Sequence, residues 1–181
     1  NGSEIWKGFD QLIERYVIPA GLVEWVLSLA VENDIWFWGM TTENVYHPEN
    51  FPDDVHKYDW LKIGLDTAND YVRKKIWKNL IANGKLEVTN SAKTNIEINA
   101  KGVNKAKGLE TVCKLERITM ANVLSIGDSL NDIAMIKTSG FGIAMGNAQQ
   151  AVKESADWVT ATNVKDGVAQ ALRYWVLGKN R

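Results

Sequence analysis

From about residue 100 onward, short apolar runs alternate with stretches of helical periodicity, and this alternation constrains the fold more than anything else in the sequence. The apolar runs are Val123-Leu124-Ser125-Ile126, residues 141 to 145, and Trp158-Val159-Thr160. Helices are expected between them, over residues 105 to 116, 130 to 137, 148 to 156 and 167 to 177. A strand that is apolar along its whole length is buried on both faces, and strand–helix alternation achieves this with a parallel sheet covered on both sides. The earlier residues have a different texture. Strands are expected over 4 to 7 and 12 to 18, with a helix over 20 to 33. An aromatic strand, Ile35-Trp36-Phe37-Trp38, and a strand over 61 to 65 follow. Val72, Ile76 and Leu80 mark a second helix that fades at Asn83-Gly84, before strands at 86 to 88 and 95 to 99. The expected class is α/β in two parts. Residues 1–99 form a smaller α/β domain, and residues 100–181 form a doubly wound, Rossmann-like parallel sheet. Residues 41 to 59, rich in Asn, Asp, Pro and His, are the longest irregular stretch, and loops of that length are usually functional or mobile.

Charge excludes some partners. Lys plus Arg number 21 against 22 Asp plus Glu, a net −1, so no global field draws the chain to nucleic acid or to an anionic membrane. No apolar run approaches the length of a membrane span. Cys113 is the only cysteine, which rules out an intrachain disulfide and suits a reducing, cytoplasmic setting; its apolar helical surroundings make it a core residue. The chain begins at Asn1 rather than Met, which leaves a removed leader open.

The chemistry concentrates in Gly127-Asp128-Ser129-Leu130-Asn131-Asp132, directly after an apolar strand. Open parallel sheets bind ligands beyond the carboxyl ends of their strands, where Asp128 falls. Magnesium takes oxygen ligands, commonly one or two carboxylates plus a substrate phosphate, and Asp128 and Asp132 can both face such an ion. A plainer account also holds: Ser129 caps the next helix and Asp132 completes a capping box while favouring the helix dipole. Capping leaves Asp128 and Gly127 unexplained.

Gly127 to Met135 resembles the acidic metal motif of the haloacid dehalogenase-like hydrolases, in particular their Cof-type phosphatase branch. Three further segments match in order: Asn95 to Asn99 with Lys101-Gly102-Val103-Asn104-Lys105, Gly142-Ile143-Ala144-Met145-Gly146-Asn147-Ala148, and Asp166-Gly167-Val168. The resemblance implies that Asp128 ligates Mg2+ directly and that Asp132 is the supporting carboxylate. It implies that Lys105 offsets the charge of the phosphoryl group and of the nucleophile, and that Asn131 hydrogen-bonds the phosphate. Lys107, on the same helix, lacks a match. The resemblance implies that residues 1–99 are the family's cap, which closes over substrate and excludes water, and that residues 100–181 are the C-terminal half of its core.

The family's nucleophile is the first Asp of an Asp-x-Asp element, and no such element occurs among these residues. The family order puts it ahead of the cap, so the chain is expected to be a fragment, inactive alone, that depends on a missing N-terminal core segment. The implied reaction is hydrolysis of a small phosphorylated metabolite, a sugar phosphate in the first instance, through an aspartyl-phosphate. A phosphomutase of the same superfamily and a non-catalytic magnesium- or phosphate-binding module are the alternatives.

Weaker features have ordinary explanations. Trp6, Trp25, Trp36, Trp38, Trp60 and Trp77 are expected to fill the first domain's core, with Trp38 and Trp60, near the irregular stretch, as candidates for stacking on a sugar ring. His47 and His56 lack the companions a zinc site needs and read as solvated loop residues. Asn147 is expected to cap a helix, and Asp166 to begin the last one.

Overall fold

The chain opens with a hairpin of β1 (Glu4–Lys7) and β2 (Gln11–Arg15), bulged between Ile5 and Trp6. The second strand is shorter than the sequence suggests. Ile18, expected within it, instead makes an isolated antiparallel bridge to Trp60, and Pro19 then ends the extended segment. The structure, a computed structural model, describes residues 1–178. They cluster as two compact units, Asn1–Asn104 and a second beginning at Lys105, whereas the change in sequence texture lies near residue 100.

In the first unit, β3 (Trp36–Thr41), β4 (Val45–Tyr46), β5 (Trp60–Asp66), β6 (Leu86–Thr89) and β7 (Asn95–Ala100) form one antiparallel sheet in the order β4-β3-β5-β7-β6. Two helices cover one face. In α1 (Ala20–Glu32), Val23, Val26, Leu29 and Ala30 fall at helical spacing and are buried; in α2 (Asp70–Asn83), Ile76 and Leu80 play that part. They meet Ile63 and Leu65 of β5 and Ile96 and Ile98 of β7, alternate residues that share a face. The start of α2 is fixed by Asn69, whose Oδ1 accepts the N–H of Tyr71 and Val72, and its end by Gly84 in the left-handed region at φ 69°.

The irregular stretch is more ordered than its composition suggests. It holds β4 and two short 3-10 turns, Pro48–Asn50 and Val55–Lys57, and an aromatic cluster beneath them. Phe51 stacks on Trp60 at 4.9 Å with rings 2° from parallel. Trp60 is fully buried and donates its indole N–H to the Val55 carbonyl at 2.8 Å, so it is core and not a surface for a sugar ring.

The opposite face of this sheet is polar. Glu97 is only 6% exposed, yet it accepts from Lys62 (2.9 Å), Ser91 (2.7 Å) and the Asn1 side-chain amide (2.9 Å). Asn99 beside it donates to Ser3 Oγ and the Leu61 carbonyl, which ties the root of the hairpin to the sheet. Burial pushes the Glu97 carboxyl up. The hydrogen bonds from Lys62 and Ser91, the Lys62 charge and the Asn1 amide together outweigh burial and hold it at about 2.

In the second unit, β8 (Leu124–Gly127), β9 (Phe141–Ala144) and β10 (Trp158–Val159) form a parallel sheet in the order β8-β9-β10. The pleat distributes the helices. Ala144 faces the side where Ile136 of α4 (Ile133–Thr138) and Val152 of α5 (Gln150–Lys153) are buried. Phe141, one pleat out of phase with Ala144, meets Trp175 of α6 (Gly167–Trp175) at 4.4 Å. Helices therefore flank both faces, the doubly wound arrangement the apolar strands call for. Cys113 in α3 (Lys105–Glu116) is buried, as expected. Among the described residues no helix is long and apolar enough to cross a membrane.

Two helices are shorter than their periodicity suggests. Residues 130 to 132 form a 3-10 turn ahead of α4. After α5 the chain tightens, with Ser155 N–H bonded to the Val152 carbonyl and Ala156 N–H to that of Lys153, so the expected helix over 148 to 156 shrinks to one turn.

The Glu97 network predicts an acid limb in stability. A carboxyl whose folded pKa lies below its unfolded one contributes stability that is complete above the ordinary value of 4.5 and lost as pH falls through about 2. Urea unfolding followed from pH 5 to pH 2 should show a decline on the order of 2–3 kcal/mol from this group. Glu97→Gln should flatten that part of the curve, and an unchanged acid limb would contradict the assignment.

Candidate active site

Gly127 ends β8, and the next five residues turn back beneath it. A Cβ at Gly127 would lie 2.3 Å from Asp132 Cβ and 2.6 Å from its Cγ, so only glycine lets the Asp132 side chain tuck against the strand end. Asp132, 3% exposed, then divides its carboxylate between two tasks. Oδ2 accepts the backbone N–H of Asp128 at 2.8 Å and of Ser129 at 3.1 Å. Oδ1 pairs with the Lys105 ammonium. The capping role foreseen for Asp132 is present, and Asp132 N–H donates to the Ser129 carbonyl at 2.9 Å to close the turn.

Lys105 opens α3, and its Nζ lies 3.5 Å from Oδ1 of the buried Asn131. All four residues singled out from the sequence, Lys105, Asp128, Asn131 and Asp132, thus meet at the carboxyl end of β8. Asp128 differs from its neighbours in being exposed. Ser129 Oγ donates to its Oδ1 at a long 3.4 Å, which leaves the carboxylate facing outward. Asp128 could take a cation directly, whereas both oxygens of Asp132 already have partners.

Among the described residues no group of three or more His, Cys, Asp and Glu is arranged to hold a metal. The exposed carboxylate of Asp128 offers oxygen donors, the ligand type magnesium prefers, and not the nitrogen and sulfur donors typical of zinc. The two loop histidines are occupied elsewhere: His56 Nε2 lies 3.1 Å from Glu24 Oε1, and His47 stacks on Trp36 at 5.5 Å.

One contribution was not foreseen. The Gln149 N–H donates to the Asp128 carbonyl at 3.0 Å, and the Met145 N–H to that of Gly127 at 2.9 Å, so the loop after β9 braces the backbone of the turn that carries Asp128. The glycine-rich run at 142 to 148 was the signal available. Asn147, expected to cap α5, does not: its Oδ1 accepts the Asn163 N–H at 2.9 Å and so links two loops at the sheet's carboxyl end. Asp166 does precede α6, in a left-handed conformation at φ 56° and without a capping side-chain bond.

A model of the haloacid dehalogenase-like hydrolase family matches residues 57–172, well over half of the chain. The chain belongs to that family, in its Cof-type phosphatase branch. It is 47% identical over 177 residues to the 5-amino-6-(5-phospho-D-ribitylamino)uracil phosphatase YcsE of Bacillus subtilis, covering 98% of this chain and 71% of that one. It is 36% identical over 98 residues to the phosphatase YwpJ of the same organism, covering 54% of this chain and 34% of YwpJ. A solved haloacid dehalogenase-like hydrolase from B. subtilis superposes with a TM-score of 0.88 over 97% of this chain and 78% of its own; at 23% identity, that likeness concerns the fold.

Lys105→Met tests the internal pairing. Removing one partner of a fully buried ion pair costs about 3–5 kcal/mol. The Lys105 side chain is 34% exposed against 4% for Asp132, which discounts the loss to about 2 kcal/mol. Urea denaturation should show a midpoint lowered accordingly, and an unshifted midpoint would mean that Asp132 does not depend on the ammonium.

Proposed function

We propose that this chain supplies the metal- and phosphate-binding half of a magnesium-dependent phosphatase, acting on a small metabolite whose phosphate sits on a hydroxylated carbon chain. The observation that carries this reading is the outward carboxylate of Asp128 beside the Lys105–Asp132 pair at a strand's carboxyl end. Asp128 would hold Mg2+ directly and Asp132 would support it through the loop backbone. The ion, when bound, would supply positive charge to the phosphoryl oxygens. Lys105 would place a second positive charge near the same oxygens, and the Asn131 side-chain amide would offer them a hydrogen bond.

The attacking group would come from outside residues 1–181. No Asp-x-Asp occurs in the sequence, and Asp128, if it ligates the cation, has its lone pairs committed. β8 lies at the edge of its sheet, where a further parallel strand bearing the nucleophile could pair. A carboxylate there would displace the alcohol from phosphorus to give an aspartyl-phosphate, and water would then release inorganic phosphate. The polyol phosphate is favoured as substrate because the 47%-identical relative is named for a phosphoribitylamino compound, whose phosphate is borne on a sugar-alcohol chain. The same relative favours hydrolysis over phosphoryl migration within the substrate.

Phosphate release from p-nitrophenyl phosphate and from 5-amino-6-(5-phospho-D-ribitylamino)uracil, with and without magnesium, tests the proposal. The 181 residues alone should be inactive, and joining them to a core segment bearing Asp-x-Asp should restore magnesium-dependent turnover of both. In the joined protein, Asp128→Asn should lower kcat/KM at least about 100-fold, the scale of losing a transition-state electrostatic contact. Robust turnover by the chain alone would overturn the placement of the nucleophile, and a fully active Asp128→Asn variant would overturn the role of Asp128.

A further inference from the structure

We infer that the polar face of the five-stranded sheet is a seat for a planar, carbonyl-bearing heterocycle, with Trp38 as the stacking surface and Lys62 as the hydrogen-bond donor. Helices α1 and α2 pack on the other face alone, the one carrying Ile63, Leu65, Ile96 and Ile98. On the polar face the strand register aligns Trp38, Gly64, Glu97 and Thr89 in one row across four strands. The row is built around its glycine. A Cβ at residue 64 would lie 2.1 Å from both Cε2 and Nε1 of Trp38, so the indole rests against the bare backbone of β5 while remaining partly exposed.

The polar groups around the indole are arranged with equal economy. Lys62 Nζ lies 6.0 Å from the Trp38 ring centroid and 2.9 Å from Glu97 Oε2. Glu97, tied also to Ser91 and Asn1, thus fixes the ammonium beside the indole. An ammonium has three N–H donors, and Glu97 takes one of them. A tryptophan that only covered a sheet would not need a tethered ammonium at its edge. A ring with a flat π face and oxygen acceptors in its plane uses both: the face stacks on the indole, and a carbonyl accepts from Lys62. A free phosphate or a bare polyol would leave the indole unused. This deepens the proposed function, on which it rests only in taking the ring as part of the substrate.

Two probes separate this inference from the phosphatase reading. 5-Amino-6-(D-ribitylamino)uracil has the ring and no phosphate; D-ribitol 5-phosphate has the phosphate and no ring. Binding of each to the full chain is measured by calorimetry in the presence of magnesium. Trp38→Leu should weaken the ring compound at least tenfold while leaving ribitol phosphate within twofold of wild type. Trp38→Phe, which keeps an aromatic face, should retain most of the affinity. A Trp38→Leu variant that melts like wild type and binds the ring compound within twofold would overturn the inference. If that variant does not fold, the wild-type indole N–H resonance of Trp38 decides: a shift on adding the ring compound supports the seat, and no shift overturns it. Failure of ribitol phosphate to bind counts against the phosphatase reading and leaves the ring measurement intact.

Discussion

The second unit depends on a carboxylate that is almost wholly buried. Asp132 lies under the end of β8, where a charge without partners would be untenable, and the surrounding sequence is arranged to provide them. Lys105, at the first turn of α3, supplies the ammonium, and the Asp128 and Ser129 amides supply two hydrogen bonds. Gly127 supplies the room. Because Asp132 takes up the donors of its own loop, the Asp128 carboxylate is left facing outward with a single weak contact from Ser129. One residue is spent on holding the loop so that its neighbour, four positions earlier, stays exposed. This division follows from burial and hydrogen-bond supply, and it makes two aspartates of one motif unequal.

The first unit applies the same economy to a sheet. One face is closed by two amphipathic helices over aliphatic residues, and the other carries charged and aromatic groups that hold one another in place. Glu97 is its counterpart of Asp132: buried, ionised through its donors, and fixing the position of a lysine. In both units a satisfied carboxylate sets the orientation of a cation, which is the means by which a small α/β unit can hold a positive charge ready without burying it unpaired.

Much of this was legible in the sequence for a local reason. Helical spacing in residues 20 to 33, the strand before Gly127 and the four-residue interval from Asp128 to Asp132 all depend on neighbours within a turn or two. What escaped depends on pairing across the chain. Trp60 stands beside an irregular stretch, and only its pairing with Thr41 and Ile18 and its stacking on Phe51 show it to be core. Asn147 has the sequence of a cap, but its partner lies sixteen residues away in another loop. The alignment of Trp38 with Gly64, Glu97 and Thr89 is fixed by strand register, which no single strand encodes. Gly127 was recognisable as part of a motif, while its physical purpose, the space for Asp132, appeared only once the turn was folded.

The central claim is that Asp132 organises the loop that presents Asp128, and amide hydrogen exchange at residues 128 and 129 tests it most directly. In the wild-type chain the Asp128 and Ser129 amides should be protected, since both donate to Asp132 Oδ2. Asp132→Ala should lower protection at these two amides by at least about tenfold, as expected for hydrogen bonds lost from a buried carboxylate. Amides of the first unit, such as those of β7, should exchange as before. Unchanged protection at 128 and 129 in a folded Asp132→Ala variant would contradict the account.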